Sequence, residues 1–370
     1  LFFKESKFND DSIIILDLNM PIMDGIEVIR KLSNNNSKAS LILMSGYDMG
    51  VLHSAEKLAC AHGLEIMTSV MKPIQLDKLL SVLVNHRDNL GTTSDTTKGE
   101  QYVPTANDLL SAIEHDQLLL HFQPQVDIQT GLMIGAEVLV RWLHPKHGLL
   151  FPDVFIELAE TSGLMGQLTS RVLDLAITRC SYQKQKGYKL PLSVNVSANN
   201  ISSLELPEEL NDKIRVQQLD PSELTIEITE SALMGELVTS LDILTRLRMK
   251  GFALSIDDFG TGFSSLSQLH RVPFNELKID KSFVMQMDVD SEAKAIVKTC
   301  IMLGHELNMR VVAEGVETDA ALSLLKNMGC DVVQGYHISR PMSEQDFDLW
   351  IKDNPYKFDL PEANLQSSLM

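Results

Sequence analysis

Between residues 119 and 338 the chain repeats one pattern: a short apolar run, often ending on an acid, an amide or a lysine, followed by a helical stretch. The expected strands fall near 119–127, 132–142, 190–196, 224–229, 252–257, 276–280, 310–314 and 331–338. Strands alternating with helices favour parallel neighbours, and eight of them over this length close into a (β/α)8 barrel whose chemistry gathers at the C-terminal mouth. One connection departs from that plan. Only Gln129-Thr130-Gly131 separates the first two runs, enough for a hairpin but too short for a parallel crossover, so one strand is expected to run antiparallel.

The strand ends carry the chemistry. The run Phe252-Ala253-Leu254-Ser255-Ile256 meets Asp257-Asp258 and then Phe259-Gly260-Thr261-Gly262. Adjacent strand residues point to opposite faces, so both carboxylates reach one site only if the strand ends there and the chain turns, which the glycines permit. An isolated Asp-Asp is more often a turn or a helix cap. Repetition changes the weighting: Glu137, Asn195, Glu227, Glu230, Lys278, Asp280, Glu314 and Glu317 lie in or just after the ends of other strand-like runs. An unpaired buried charge costs several kcal/mol, so structural strands would not each keep one. Shared metal binding explains them together. Oxygen ligands suit Mg²⁺ or Mn²⁺, and the adjacent Asp257 and Asp258 fit a pair of ions about 4 Å apart, the arrangement that clamps attacking and leaving oxygens in phosphoryl displacement. Lys278 then orients water or stabilises developing charge. Hydrolysis of a phosphate ester follows from this set. The plainer readings stay open residue by residue: Lys278 with Asp280 as a salt bridge, Glu314 with Glu317 on a solvated loop, Asn195 in a turn. No Gly-x-Ser-x-Gly elbow, Walker loop or His-Glu-x-x-His competes.

The charge balance narrows the partners. With 32 Lys and Arg against 50 Asp and Glu, a formal charge of −18 and no basic run, binding to a nucleic-acid backbone is not expected. Four scattered cysteines, Cys60, Cys180, Cys300 and Cys330, suggest neither a disulfide framework nor zinc. No apolar run approaches the roughly 18 residues of a membrane span, and the expected location is the cytoplasm.

Four segments are expected: a first domain over 1–86, a polar linker over 87–104, the barrel over 105–353 and a tail over 354–370. In the first, Ser12 to Asp17, Leu41 to Met44 and Ile66 to Met71 read as parallel strands, the third the weakest because Thr68 and Ser69 interrupt it. Asp17, Ser45 and Lys72-Pro73 stand at their ends, and Asp17 opens the motif Asp-x-x-Met-Pro-x-Met-Asp-Gly. This stretch resembles a response-regulator receiver, a flavodoxin-like parallel sheet. The resemblance implies phosphorylation at Asp17 by a sensor histidine kinase, with Ser45 and Lys72 as switch residues. A receiver's opening strand and acidic pair are expected to be missing, since Glu5, Asp10 and Asp11 close no apolar strand.

The second domain resembles the EAL family of cyclic di-GMP phosphodiesterases. The matching pieces are Phe122-Gln123-Pro124, Glu137-Val138-Leu139-Val140-Arg141-Trp142, Asn195-Val196-Ser197, Glu227-Ile228-Thr229-Glu230, Asp257 to Leu266, Leu277-Lys278-Ile279-Asp280, Ala313-Glu314-Gly315-Val316-Glu317 and Gln334-Gly335-Tyr336. Val138 stands where the name-giving tripeptide has Ala, a small packing change. The resemblance implies one ion on Glu137, Asn195, Glu227 and Asp257, and a second on Asp257 and Asp258. Glu314 would be a further ligand or be oriented on water at the metals. Lys278 would assist that water and Glu230 would anchor the loop after Asp258. Gln123, Arg141, Asp280, Glu317 and Gln334 would meet the substrate, the product would be linear pGpG, and barrels would pair as homodimers. The alternative is a receptor that binds cyclic di-GMP without turnover and signals through a protein partner.

Overall fold

The computed structural model describes residues 12–72 and 102–353, apart from 21–22, 36, 47–48, 65, 199, 231, 233–236, 262–268 and 270. Glu5, Asp10, Asp11, Pro73, most of the expected linker, Gly262 to Leu266 and the tail lie outside the described residues. The chain divides into two units, 1–99 and 100–370.

The first unit alternates β1 (Ile13–Asp17), α1 (Gly25–Asn34), β2 (Ser40–Ser45), α2 (Met49–Ala61) and β3 (Ile66–Met71). All pairings are parallel, in the order β1-β2-β3. The central strand is apolar on both faces, with Leu41, Ile42 and Leu43 fully buried, as a sheet covered on both sides requires. Helix α1 starts where the Asp24 side chain accepts from Glu27 N at 2.8 Å, and it turns Val28, Ile29 and Leu32 inward at helical spacing. β3 forms despite its polar residues, and Ser69 Oγ donates to Glu56 Oε2 at 3.2 Å.

The second unit opens with α3 (Ala106–Glu114), capped reciprocally by Thr105 and Asp108. There follow β4 (Leu118–Asp127), β5 (Met133–His144), β6 (Gly148–Leu150), α4 (Pro152–Thr161), α5 (Met165–Gln185), β7 (Leu192–Asn195) and α6 (Leu206–Val216). The next elements are β8 (Leu224–Thr229), α7 (Leu237–Met249), β9 (Ala253–Phe259), β10 (Glu276–Ile279), α8 (Lys281–Val284) and α9 (Ser291–Glu306). Last come β11 (Arg310–Ala313), α10 (Asp319–Met328), β12 (Val332–Val333) and α11 (Glu344–Asp353).

The strands run in the order β4-β12-β11-β10-β9-β8-β7-β5, and β4 pairs with β5 to close a barrel of eight. β4 is antiparallel to both neighbours, as a connection to β5 of only residues 128–132 demands. The turn is built locally: Asp127 Oδ1 accepts from Thr130 N at 2.7 Å, and Gly131 takes φ 72°.

Three features differ from the expected strands. β6 is an additional strand that folds back antiparallel on the end of β5. β9 continues through Asp258 to Phe259, with left-handed backbone at Asp258 inside the strand and positive φ again at Gly260 just after it. β12 is only two residues long; beyond it Gly335 presses against the backbone of Val316 and the chain leaves the ladder.

The core between barrel and helices is aliphatic, with Trp142 and Phe155 fully buried and their rings meeting edge to face at 82°. Trp142 Nε1 donates to Gln117 Oε1 at 3.0 Å. Trp142→Ala empties that space and strands the Gln117 oxygen, so it is expected to destabilise the unit by about 4 kcal/mol, as a shift of the urea midpoint at unchanged slope.

Candidate active site

The barrel mouth is assembled from strand ends that are hydrogen-bonded in register. Asn195 lies opposite Glu227, and Thr229 opposite Asp257. Between β9 and β10 the register slips. Ile256 pairs with Leu277 and Phe259 with Ile279, so Asp257 and Asp258 together face the single residue Lys278. This is a β-bulge, and its second residue, Asp258, has φ 54°, a left-handed conformation that aspartate tolerates better than most residues. The bulge turns both carboxylates toward one place: Asp257, Asp258 and Glu314 each offer an oxygen within 4.8 Å of the others.

Lys278 is the centre of the site, with a fully buried side chain. Its Nζ lies 2.7 Å from Glu227 Oε2, 2.7 Å from Glu314 Oε1, 3.2 Å from Asp257 Oδ1 and 3.6 Å from Glu137 Oε2. Glu137 is held from the other side: Asn195 Nδ2 donates to its Oε1 at 3.0 Å and Gln334 Nε2 to its Oε2. Gln334 in turn donates to Gln123 Oε1 and accepts from Gln125 Nε2, each at 3.1 Å. Glu230, on the loop after β8, accepts from Gly260 N at 3.1 Å and so ties down the chain just past the bulge.

Crowding of acids shows in their proton affinities. Burial pushes the Glu314 carboxyl up to about 8 against the pull of Lys278, and burial with the charges of Asp257 and Asp280 pushes Asp258 up to about 6. Glu227 is driven well above the usual range by burial, again opposed by Lys278. For Lys278 burial alone would lower the value, but the carboxylates of Glu137, Glu227, Glu314 and Asp257 outweigh it and raise it. The donor set fits a hard divalent cation. It is all oxygen, its acids outnumber the one lysine, and Glu227 Oε1 is buried with no hydrogen-bond partner.

Beside the acids opens a cleft of about 840 Å³. Of the expected substrate residues, Gln123, Arg141, Glu317 and Gln334 line it. Arg141 donates to Val140 O at 2.8 Å and sits 5.1 Å over the Phe151 ring. Asp280 does not line the cleft. It caps α8, accepting from Ser282 N at 2.9 Å. Sequence reading missed Gln125, Phe151, Lys281 and Arg340. Gln125 was legible, since alternation puts it on the face of Gln123. Phe151 and Arg340 lie on connections whose course no strand pattern fixes, and Lys281 opens the short helix α8. In the first unit, Lys72 Nζ donates to Asp17 Oδ2, and that bond holds the Asp17 carboxyl below its usual range. Lys72 N also donates to Ser45 O at 2.8 Å.

The second unit is thus an eight-stranded α/β barrel with one reversed strand and a carboxylate-ringed lysine at its mouth. The chain belongs to the EAL domain family, whose model matches residues 106–341, and carries a response regulator receiver domain over 2–84. The cyclic di-GMP phosphodiesterase RocR of Pseudomonas aeruginosa is 32% identical over 338 residues, covering 90% of this chain and 85% of RocR. The bifunctional diguanylate cyclase/cyclic di-GMP phosphodiesterase MucR of the same organism is 41% identical over 251 residues, and this chain spans 37% of its length. The structure of the MucR phosphodiesterase in complex with c-di-GMP superposes with a TM-score of 0.63 at 42% identity, covering 65% of this chain and 98% of that one. All four cysteines are free, and among the described residues no helix is long and apolar enough to cross a membrane.

Proposed function

We propose that the barrel hydrolyses cyclic di-GMP to linear pGpG, using two Mg²⁺ or Mn²⁺ ions. The observation that carries this is the convergence of four carboxylates on Lys278, with Asp258 beside Asp257 and Glu314 and with Asn195 bonded to Glu137, at the edge of a cleft sized for a dinucleotide. The similarity to the cyclic di-GMP phosphodiesterases RocR and MucR supports it.

Glu137, Asn195, Glu227 and Asp257 would hold one ion, and Asp257 with Asp258 and Glu314 the other. Bound there, the ions supply Lewis acidity to the phosphoryl oxygens and acidify the attacking water. Lys278 orients that water and offsets negative charge as the phosphorus–oxygen bond breaks. Glu230 keeps the chain after Asp258 in place through Gly260. Along the cleft Arg141 and Gln123 position the substrate, Phe151 and Tyr336 offer ring faces to the guanines, and Lys281 and Arg340 add positive charge. Asp280 acts through the capped turn after Lys278 and not by contact with substrate. The test is turnover: purified protein with cyclic di-GMP and Mg²⁺ or Mn²⁺, products separated by chromatography. Appearance of pGpG supports the enzyme, whereas tight binding without product assigns the barrel to the receptor class.

For the receiver, the proposal is that Asp17 accepts a phosphoryl group from a sensor histidine kinase and so regulates hydrolysis, with barrels pairing as homodimers. Lys72 donates to Asp17 Oδ2 and so sets a positive charge beside the carboxylate that would accept the phosphoryl group. Once Asp17 is converted to an acyl phosphate, Lys72 and Ser45 would bind the phosphoryl oxygens. A phosphodonor is expected to change the wild-type rate and leave Asp17→Ala unaffected. Equal rates for both proteins with and without donor would remove the regulatory role.

A further inference from the structure

Lys278 has three N–H donors; it donates to Glu227 Oε2 at 2.7 Å, and the same ammonium is ion-paired with three further carboxylates. Its contacts at 2.7, 2.7 and 3.2 Å go to Glu227, Glu314 and Asp257, while Glu137 at 3.6 Å is held by Asn195 and Gln334 instead. Among the described residues no other cation forms an ion pair with these four acids. The side chain has no exposure to solvent. A lysine whose only task was to orient water would not need a ring of four carboxylates around a fully buried ammonium.

We infer that Lys278 is the resident counter-ion of the ligand ring. In the metal-free barrel its ammonium holds together carboxylates that would otherwise repel one another from buried positions. The barrel therefore folds before metal arrives. When divalent ions take those carboxylates, donors of Lys278 are released toward the substrate, so loading with metal and readiness of the lysine are one event. The same ammonium repels incoming ions, so it also sets how much metal is needed to fill the site. This inference rests on the two-ion reading above.

The test compares wild type with Lys278→Met, which keeps the length and removes the charge. Metal-free melting curves and Mn²⁺ titrations by calorimetry are run at one pH near 8, without substrate. Metal-free Lys278→Met is expected to melt about 10 °C below wild type, to gain more from saturating Mn²⁺ than wild type does, and to bind Mn²⁺ about tenfold more tightly. If wild type binds no Mn²⁺, the two-ion reading itself fails. If wild type binds Mn²⁺ and Lys278→Met binds it equally or more weakly, the counter-ion role is overturned and the two-ion reading stands. Should metal-free Lys278→Met fail to fold, the double variant with Glu227→Gln, which removes one of the repelling charges, is expected to fold. A double variant that also stays unfolded overturns the inference.

Discussion

Glu137→Ala is expected to abolish hydrolysis of cyclic di-GMP, with kcat reduced by at least about 10³-fold, or ~4 kcal/mol of transition-state stabilisation. The barrel should remain folded. Glu137 stands at the mouth with its oxygens on Asn195, Gln334 and the edge of the Lys278 cluster, and none of these contacts joins the aliphatic core. Removing one of several mutually repelling acids relieves strain as well as breaking hydrogen bonds. Circular dichroism and a melting curve within a few degrees of wild type, beside a turnover assay showing no pGpG, are the expected pair of results. A variant that loses its fold together with its activity would show Glu137 to be structural, and would return the mouth to the class of ion-paired scaffolds.

The second large effect comes from a residue with no chemistry. A Cβ on Gly335 would lie 2.2 Å from Val316 O and 2.3 Å from Val316 N, inside the hard-sphere limit of backbone atoms that cannot swing away. Val316 N donates to Gln334 O at 3.1 Å, and Val316 O accepts from His337 N at 2.9 Å. Any shift that admits the methyl group must break this pairing and displace Gln334 from Glu137. Gly335→Ala is therefore expected to cost ~3 kcal/mol and to reduce turnover, as read by urea unfolding and the same assay. Gly329→Ala is the comparison: its φ of 79° makes alanine strained, yet nothing lies within 4 Å of the added carbon, and about 1 kcal/mol is expected.

Much of this architecture was legible because the chain obeys local rules. The reversed strand followed from a three-residue turn, and the positions of the mouth acids followed from strand ends. Less legible was anything set by packing between distant segments. That Asp258 joins Asp257 through a bulge depends on how β9 meets β10, a register that the run Ser255-Ile256-Asp257-Asp258 does not encode by itself. Asp280 is set apart from the other acids for a related reason: it too closes a strand, but the next residues form a helix whose Ser282 amide takes its Oδ1. The aromatic and basic walls of the cleft come from connections such as 335–341, whose path depends on the backbone approach at Gly335. The glutamine ladder combines both cases: Gln123 and Gln125 share a strand face, while their common partner Gln334 comes from the far end of the unit.

The bulge between β9 and β10 has a consequence for how this domain can change over generations. A regular ladder there would release the left-handed backbone at Asp258 and restore uniform strand pairing, so variants lacking the irregularity would gain thermal robustness. They would also separate the paired aspartates. Under the proposed hydrolysis, selection for heat resistance and selection for turnover would act on the same two residues in opposite directions, and a lineage freed from the need to catalyse would be expected to straighten this strand early.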